Sequence, residues 1–267
     1  MVQLLLRLID PTTNDYIYLI QAINAQDLET VKILLEDIRI LDPSAERIYE
    51  PIEAAFSVGN IRIADLLISD YRCVYIFDGD WIDAAGKENQ MEIIKWWLND
   101  KRSNPASYEN DAIYYACVAK NLELVKLLLQ DPRVDPSDKN NQCICACSED
   151  GSLEIAKILL ADTRVDPSAD ENRAIRLAAE YGQTEMVKFL LQDPRVDPSA
   201  RKNIALGHAS GLGHIEVVKV LLQDRRVNPT DNDYQALKWS RYYGNWQITE
   251  LLLQDDRIEP RIRAMYE

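Results

Sequence analysis

Eleven residues recur almost unchanged along this chain, as LLLQDPRVDPS at 127–137 and FLLQDPRVDPS at 189–199. Looser copies stand at 33–44 (ILLEDIRILDPS), 158–168 (ILLADTRVDPS), 220–230 (VLLQDRRVNPT) and 251–260 (LLLQDDRIEP). The second proline of each phrase, or its counterpart, falls at Pro105, Pro136, Pro167, Pro198, Pro229 and Pro260, always 31 residues apart. A fixed period of this size means that one supersecondary unit is repeated, and that its copies bury their apolar faces against each other. Upstream, Pro11 and Pro43 keep a spacing of 32, and the next proline, due near Val74 and Tyr75, is missing. The reading that follows is a single array over 1–267: a partial unit 1–9, eight units (10–41, 42–73, 74–103, 104–134, 135–165, 166–196, 197–227 and 228–258) and a tail 259–267.

One unit, DPSADENRAIRLAAEYGQTEMVKFLLQDPRV at 166–196, shows how the local structure follows. Asn172 is placed to cap a short helix whose apolar side chains Ala174, Ile175, Ala178 and Ala179 form a narrow stripe of mostly small groups. Gly182 can take the left-handed conformation that ends this helix, and Thr184 is placed to cap the next. The second helix carries Met186, Val187, Leu190 and Leu191 on one face, more apolar surface than so short a helix can hide alone. Asp193-Pro194 then stops it, because proline lacks an amide proton and restricts the residue before it. Asp197-Pro198-Ser199 makes the turn into the next unit. Helices this short are marginal in water, so stability must come from stacking. The predicted fold class is therefore all-α, a solenoid of about eight helix-turn-helix units with short loops between them.

The second helices resemble the ankyrin repeat, through GHIEVVKVLLQDRRVNP (213–229), GSLEIAKILLADTRVDP (151–167) and NLELVKLLLQDPRVDP (121–136). The resemblance covers about residues 10–258 and departs from the family pattern twice. The usual T-P-L-H helix start is replaced by strings such as NRAIR and NIALG, and the period is 31 rather than 33. The wording LLLQDPRVDPS itself resembles ankyrin arrays encoded by giant DNA viruses of amoebae, the mimivirus-like group. The resemblance implies a stack with first helices and loops on a concave side, protein–protein binding along that side, and no catalytic activity. Two further roles follow from it: a host-directed adaptor, for example one recruiting ubiquitin machinery from the host cytoplasm, and a structural assembly component.

Composition narrows the partners. Thirty Lys and Arg against 44 Asp and Glu leave a formal charge of −14, which repels phosphate backbones and anionic lipid surfaces, so neither nucleic acid nor membrane is expected as a direct partner. A protein partner with a basic face is expected instead. Apolar runs of a few residues are too short to span a bilayer or to form a secretory signal, and five irregularly placed cysteines suit a reducing compartment, so a cytoplasmic location is expected.

No catalytic, metal or cofactor motif stands out. The run Cys143-Ile144-Cys145-Ala146-Cys147 invites a metal reading, but Cys143 and Cys147 fall where other units have alanine. Only Cys145 is expected to face outward. His208 and His214 lack the serine or cysteine and carboxylate partners of a triad, and no GxGxxG, P-loop or HExxH occurs. The informative positions are those that vary while the frame stays fixed. After the second proline these are Lys139, Asp170 and Arg201, with Tyr108 as a further contact candidate. Before the mid-unit glycine they are Glu149, Asp150, Glu180, Tyr181, Leu212, Tyr242 and Tyr243. All are expected on the concave face, with the tyrosines as the best anchors because they offer large amphipathic area with few rotors. Residues 71–97 depart most from the pattern. Trp96 and Trp97 stand where Leu127 and Leu128 do and are expected in the core, while Tyr75, Phe77 and Trp81 mark an irregular unit.

Overall fold

The computed structural model describes residues 16–37, 50–70, 85, 86, 88 and 90–266. Among the described residues the chain is 69% helix with no strand. Leu4, Leu5, Leu6, Tyr75, Phe77 and Trp81 lie outside them. The chain divides into two compact units, residues 1–135 and 136–267.

In the first unit the helices are α1 (Ile17–Asn24), α2 (Leu28–Leu35), α3 (Glu50–Ser57), α4 (Ile61–Ser69), α5 (Met91–Asn99), α6 (Ser107–Val118) and α7 (Leu122–Leu128). α1 packs on α2 and α3, and α2 on α4, as expected for paired helices stacked on their neighbours. Trp97 is buried and meets Phe56 edge to face, with ring centroids 6.2 Å apart, so it fills core as its alignment with Leu128 predicts. Trp96 is half-buried.

The second unit contains α8 (Asp138–Asp150), α9 (Leu153–Ala161), α10 (Ala169–Glu180), α11 (Thr184–Leu190), α12 (Ala200–Leu212), α13 (Ile215–Gln223), α14 (Asp231–Tyr242), α15 (Trp246–Gln254) and α16 (Pro260–Tyr266). First helices stack in the order α8, α10, α12, α14, and α11, α13 and α15 stack beside them. Within the 166–196 repeat Ala174, Ile175, Ala178, Ala179, Met186, Val187 and Leu190 are all buried, as their spacing predicts. Each large side chain among them contributes about 1.5–3 kcal/mol of burial. Residues 260–266, read from sequence as part of a tail, form a helix, and the Arg263 guanidinium donates to the Asp255 carbonyl at 2.7 Å.

The joint between repeats differs in three ways from what the sequence predicts. First, the helix stop does not depend on proline. The middle residue of the Asp-x-Arg stop is Lys101, Pro132, Thr163, Pro194, Arg225 or Asp256, and the second helix ends near the same place each time. What is common is the aspartate and the arginine. Asp193 Oδ1 accepts the backbone N–H of Arg195 at 3.0 Å, and the Arg195 guanidinium grips the same carboxylate, with Nη2–Oδ2 at 2.7 Å. Arg195 Nη1 then donates to the carbonyl of Val165, one repeat upstream, at 3.0 Å. Arg133 to Ser103, Arg226 to Val196 and Arg257 to Val227 repeat this contact at 2.8, 2.6 and 2.7 Å. The joint is thus a clamp as well as a stop. Proline at 132 and 194 only trims the preceding helix by about one half-turn.

Second, each first helix from α6 onward holds, right after its first residue, three consecutive left-handed residues that break it from the right-handed helix that follows: 108–110, 139–141, 170–172, 201–203 and 232–234, with φ between 49° and 62°. None is glycine, and such a residue with a Cβ costs about 1–2 kcal/mol. The third residue is a buried asparagine in four of the five triplets. Asn172 therefore does not act as an N-cap through its side chain. Its Oδ1 accepts the N–H of Asp197, in the next repeat's loop, at 2.6 Å, and Asn110, Asn141 and Asn203 do the same for Asp135, Asp166 and Asn228 at 2.7, 2.7 and 2.9 Å. Asparagine suits the place because it tolerates the left-handed region and offers an amide carbonyl. Among the second residues of the triplets, Lys202 has no such advantage: it is exposed with φ 58°. Lys202→Gly should therefore stabilise the protein by about 0.5–1 kcal/mol, the strain released exceeding the chain entropy that glycine adds to the unfolded state. A rise in the urea midpoint at unchanged slope would show it; a fall would mean that the lysine is not strained.

Third, Thr184 does not cap α11. It is that helix's first residue, and the preceding Gln183 reaches back so that its Nε2 donates to the Glu149 carbonyl at 3.0 Å. His214 Nε2 meets the Glu180 carbonyl at 2.9 Å, and Asn245 Nδ2 meets that of Gly211 at 2.7 Å, in the same manner. Gly182 is needed for two reasons. Its φ is 72°, and a Cβ there would stand 2.6 Å from His214 Nδ1. His214 is thus a structural tie between repeats, as its position after the turn glycine predicts.

Candidate functional site

The residues expected to share one binding face fall into two groups at opposite ends of the first helices. Tyr108, Lys139, Asp170 and Arg201 each open a left-handed triplet. Glu149, Asp150, Glu180, Tyr181, Leu212, Tyr242 and Tyr243 lie at the helix C-termini. About eight residues of right-handed helix separate the groups, roughly 12 Å at 1.5 Å per residue. Sequence alignment cannot show this, because both groups vary against the same fixed frame.

The N-terminal group in the second unit is largely occupied by its own charges. Arg201 forms an ion pair with Glu171, and Arg173 Nη1 lies 3.7 Å from Asp170 Oδ2. Arg176 donates to the Asp170 carbonyl at 2.9 Å and the Glu171 carbonyl at 3.1 Å, which ties the left-handed turn to its own helix. Lys238 pairs with Asp233 at the equivalent place in α14. Lys139 is half-buried, and Tyr108, in the first unit, is exposed. Exposed pairs of this kind contribute little to stability, about 0–1 kcal/mol, but leave no concentrated charge to attract a ligand.

The C-terminal group is different. Tyr181, Leu212, Tyr242 and Tyr243 are 50, 58, 82 and 63% exposed. The Glu149 carboxylate beside the Tyr181 hydroxyl holds the phenol above its usual pKa. Tyr242 and Tyr243 meet edge to face, with centroids 4.9 Å apart and planes at 89°. Glu180 Oε2 is 3.2 Å from His208 Nδ1 but makes no hydrogen bond with it. Asp150 is half-buried and accepts the Ser152 N–H at 2.9 Å, a turn contact that sets it apart from its neighbours.

Two aromatic neighbours escape a reading of single positions. Trp246, the first residue of α15, is 60% exposed beside a shallow depression of about 260 Å3 lined by Gly213, Ile215, Gly244 and Asn245 among others. Trp239 lies flat against His208, with centroids 5.7 Å apart and planes at 12°. Its ring and Cβ also cover Gly207 and Gly211, where an added Cβ would sit 3.4–3.5 Å away. The signal was present: two glycines one helical turn apart in one unit face a tryptophan in the next.

Cys143 and Cys147 are buried packing residues, as their alignment with alanine predicts, but Cys145 does not face outward. It is 4% exposed, because α10 packs against α8 and brings Asp170, Arg173 and Arg176 close to it. Burial pushes its thiol up to about 11. Cys145 should therefore react with a thiol reagent at pH 8 at least about tenfold more slowly in the native protein than after unfolding, because the attacking species is the thiolate. Equal rates would contradict its burial. Among the described residues no group of three or more His, Cys, Asp and Glu side chains could hold a metal ion, and no helix is long and apolar enough to cross a membrane.

The family model for ankyrin repeats (3 copies) matches residues 81–171 and 175–264, more than half of the chain. The chain belongs to the ankyrin repeat family. No curated protein compared with it matches. Ankyrin repeats generally mediate protein–protein interaction, and no enzymatic family is indicated. The family match starts at residue 81, inside the irregular stretch 71–97, and ends within α16.

Proposed function

We propose that this ankyrin repeat protein is a non-catalytic scaffold that holds a partner protein against the exposed side of its first helices. The observation that carries the reading is the set of exposed aromatic side chains on a frame fixed by inter-repeat ties: Tyr181, Tyr242, Tyr243 and Trp246 are each at least half exposed, and Tyr242 stands where the three preceding repeats carry Glu149, Glu180 and Gly211. Solvent-facing tyrosine and tryptophan on a rigid support supply binding energy at little entropic cost. The net charge of −14 favours a partner with a basic face, in a compartment such as the cytoplasm where the cysteines stay reduced. The likeness of LLLQDPRVDPS to viral arrays would make that partner a host protein. Immobilised folded chain, incubated with lysate of the source cells, should enrich a discrete set of proteins over a heat-denatured control. Identical protein sets on both surfaces would overturn the scaffold reading.

A further inference from the structure

We infer that the docking site is the aromatic wedge formed by Tyr181, Leu212, Tyr242, Tyr243 and Trp246, and that its occupant is an extended, arginine- or lysine-bearing segment of the partner. The inference rests on the scaffold reading and names the place and the chemistry. All five side chains are at least half exposed, and they come from three consecutive first-helix ends, α10, α12 and α14, and the start of α15. They are also held in place. Glu149 lies beside the Tyr181 hydroxyl, Tyr242 and Tyr243 brace each other, and Gly211 lets Tyr243 and Trp239 lean across the α12 end, with Tyr243 Cδ2 3.4 Å from where a Cβ would be.

Charge selects the occupant. The row that crosses these helix ends reads Glu149, Glu180, Gly211, Tyr242: two carboxylates, then a glycine and a tyrosine. The cations Arg173, Arg176 and Lys238 lie toward the other end of the first helices, bound to Asp170, to the Asp170 and Glu171 carbonyls, and to Asp233. Arg241 adjoins Tyr242 in the chain. A guanidinium or ammonium group over an exposed tyrosine or tryptophan face gains about 0.5–2 kcal/mol, and a neighbouring carboxylate adds a second attraction. A second copy of this chain also carries −14 and is repelled, as is a phosphate backbone. Three helices at interaxial distances of about 10 Å span roughly 20 Å, which an extended segment of about six residues crosses.

The probe is a fluorescein-labelled nonapeptide with arginine at alternate positions, compared with the same peptide carrying glutamine in place of arginine, by anisotropy at low ionic strength. The arginine peptide should bind at least about tenfold more tightly than the glutamine peptide, and the difference should shrink in about 0.5 M salt. Tyr242→Ala and Trp246→Ala, both at well-exposed side chains, should each weaken the arginine peptide about fivefold or more with no change in thermal midpoint. Glu149→Gln combined with Glu180→Gln should weaken it and flatten the salt dependence. Equal binding of the two peptides, no binding of either, or parental affinity in both aromatic variants would each overturn the inference. If the Tyr242→Ala, Trp246→Ala chain still captures the same lysate proteins, the scaffold reading stands and this site falls; if the parent captures none, the scaffold reading falls first.

Discussion

Asn172→Ala should lower the stability of the protein by about 3 kcal/mol, one of the largest effects available from a single polar substitution here. Two losses combine. The Asp197 N–H, held at 2.6 Å by Asn172 Oδ1, loses its acceptor at a side chain that is only 8% exposed, and an orphaned donor of this kind costs about 1–3 kcal/mol. Alanine must also adopt the left-handed conformation, φ 60°, which asparagine tolerates and alanine resists by about 1–2 kcal/mol. Three replacements separate the two. Asn172→Gly removes the acceptor but not the permissive backbone and should fall between alanine and the parent. Asn172→Asp keeps an acceptor and should cost least at neutral pH, about 1 kcal/mol for the partly buried charge. Chemical denaturation checks the order alanine, glycine, aspartate. If alanine and glycine prove equal, the backbone strain is not real; if all three match the parent, the bond between repeats contributes nothing.

That ladder of asparagines also marks the limit of what the sequence alone discloses. The period, the paired helices, the buried stripes of Ala174, Ile175, Ala178 and Ala179, and the left-handed Gly182 were all legible, because each depends on local spacing or on a single residue's conformational range. Asn172 is legible too, but only with a local capping role. Its real partner lies 25 residues ahead, and nothing in a 3.6-residue periodicity points that far. The same holds for the arginine of the Asp-x-Arg joint, whose second contact lies 30 residues back. The burial of Cys145 is hidden from the sequence for a related reason: alignment within repeats gives the direction of a side chain, whereas its burial is decided by the α10 residues that the next repeat lays over it. At the candidate site, the variable positions were legible as variable. Their separation into a charge-paired end and an aromatic end was not, since it depends on which neighbours pair across repeats. The aromatic end becomes visible only when Gly207 and Gly211 in one unit are read together with Trp239 and Tyr243 in the next.

The arginine clamp makes the second strong prediction, best tested at its most enclosed copy. Arg257 donates to the Val227 carbonyl at 2.7 Å and the Leu222 carbonyl at 3.0 Å, and its guanidinium grips Asp255 at 2.5 Å, with side chains 31 and 10% exposed. Arg257→Ala removes two inter-repeat bonds and leaves the Asp255 carboxylate without its counter-ion, so a loss of about 2 kcal/mol is expected at neutral pH. Arg257→Lys should recover less than half, because a single ammonium cannot serve the carboxylate and two carbonyls with one planar fork. The hydrogen bonds from Arg257 hold the Asp255 carboxyl below its ordinary value, against the opposing effect of burial. A carboxylate with a depressed folded pKa contributes stability that is complete above the unfolded value, about 4, and is lost as pH falls through the folded one. The gap between parent and Arg257→Ala should therefore stay constant from neutral pH to about pH 4 and narrow below it. Asp131, Asp162, Asp193 and Asp224 are lowered by the equivalent arginines, so the parent should lose several clamps over the same acid range and unfold steeply there. A gap that widens in acid, or a lysine variant as stable as the parent, would mean that the arginine acts only as a surface charge and that the joint is held by the buried prolines and valines alone.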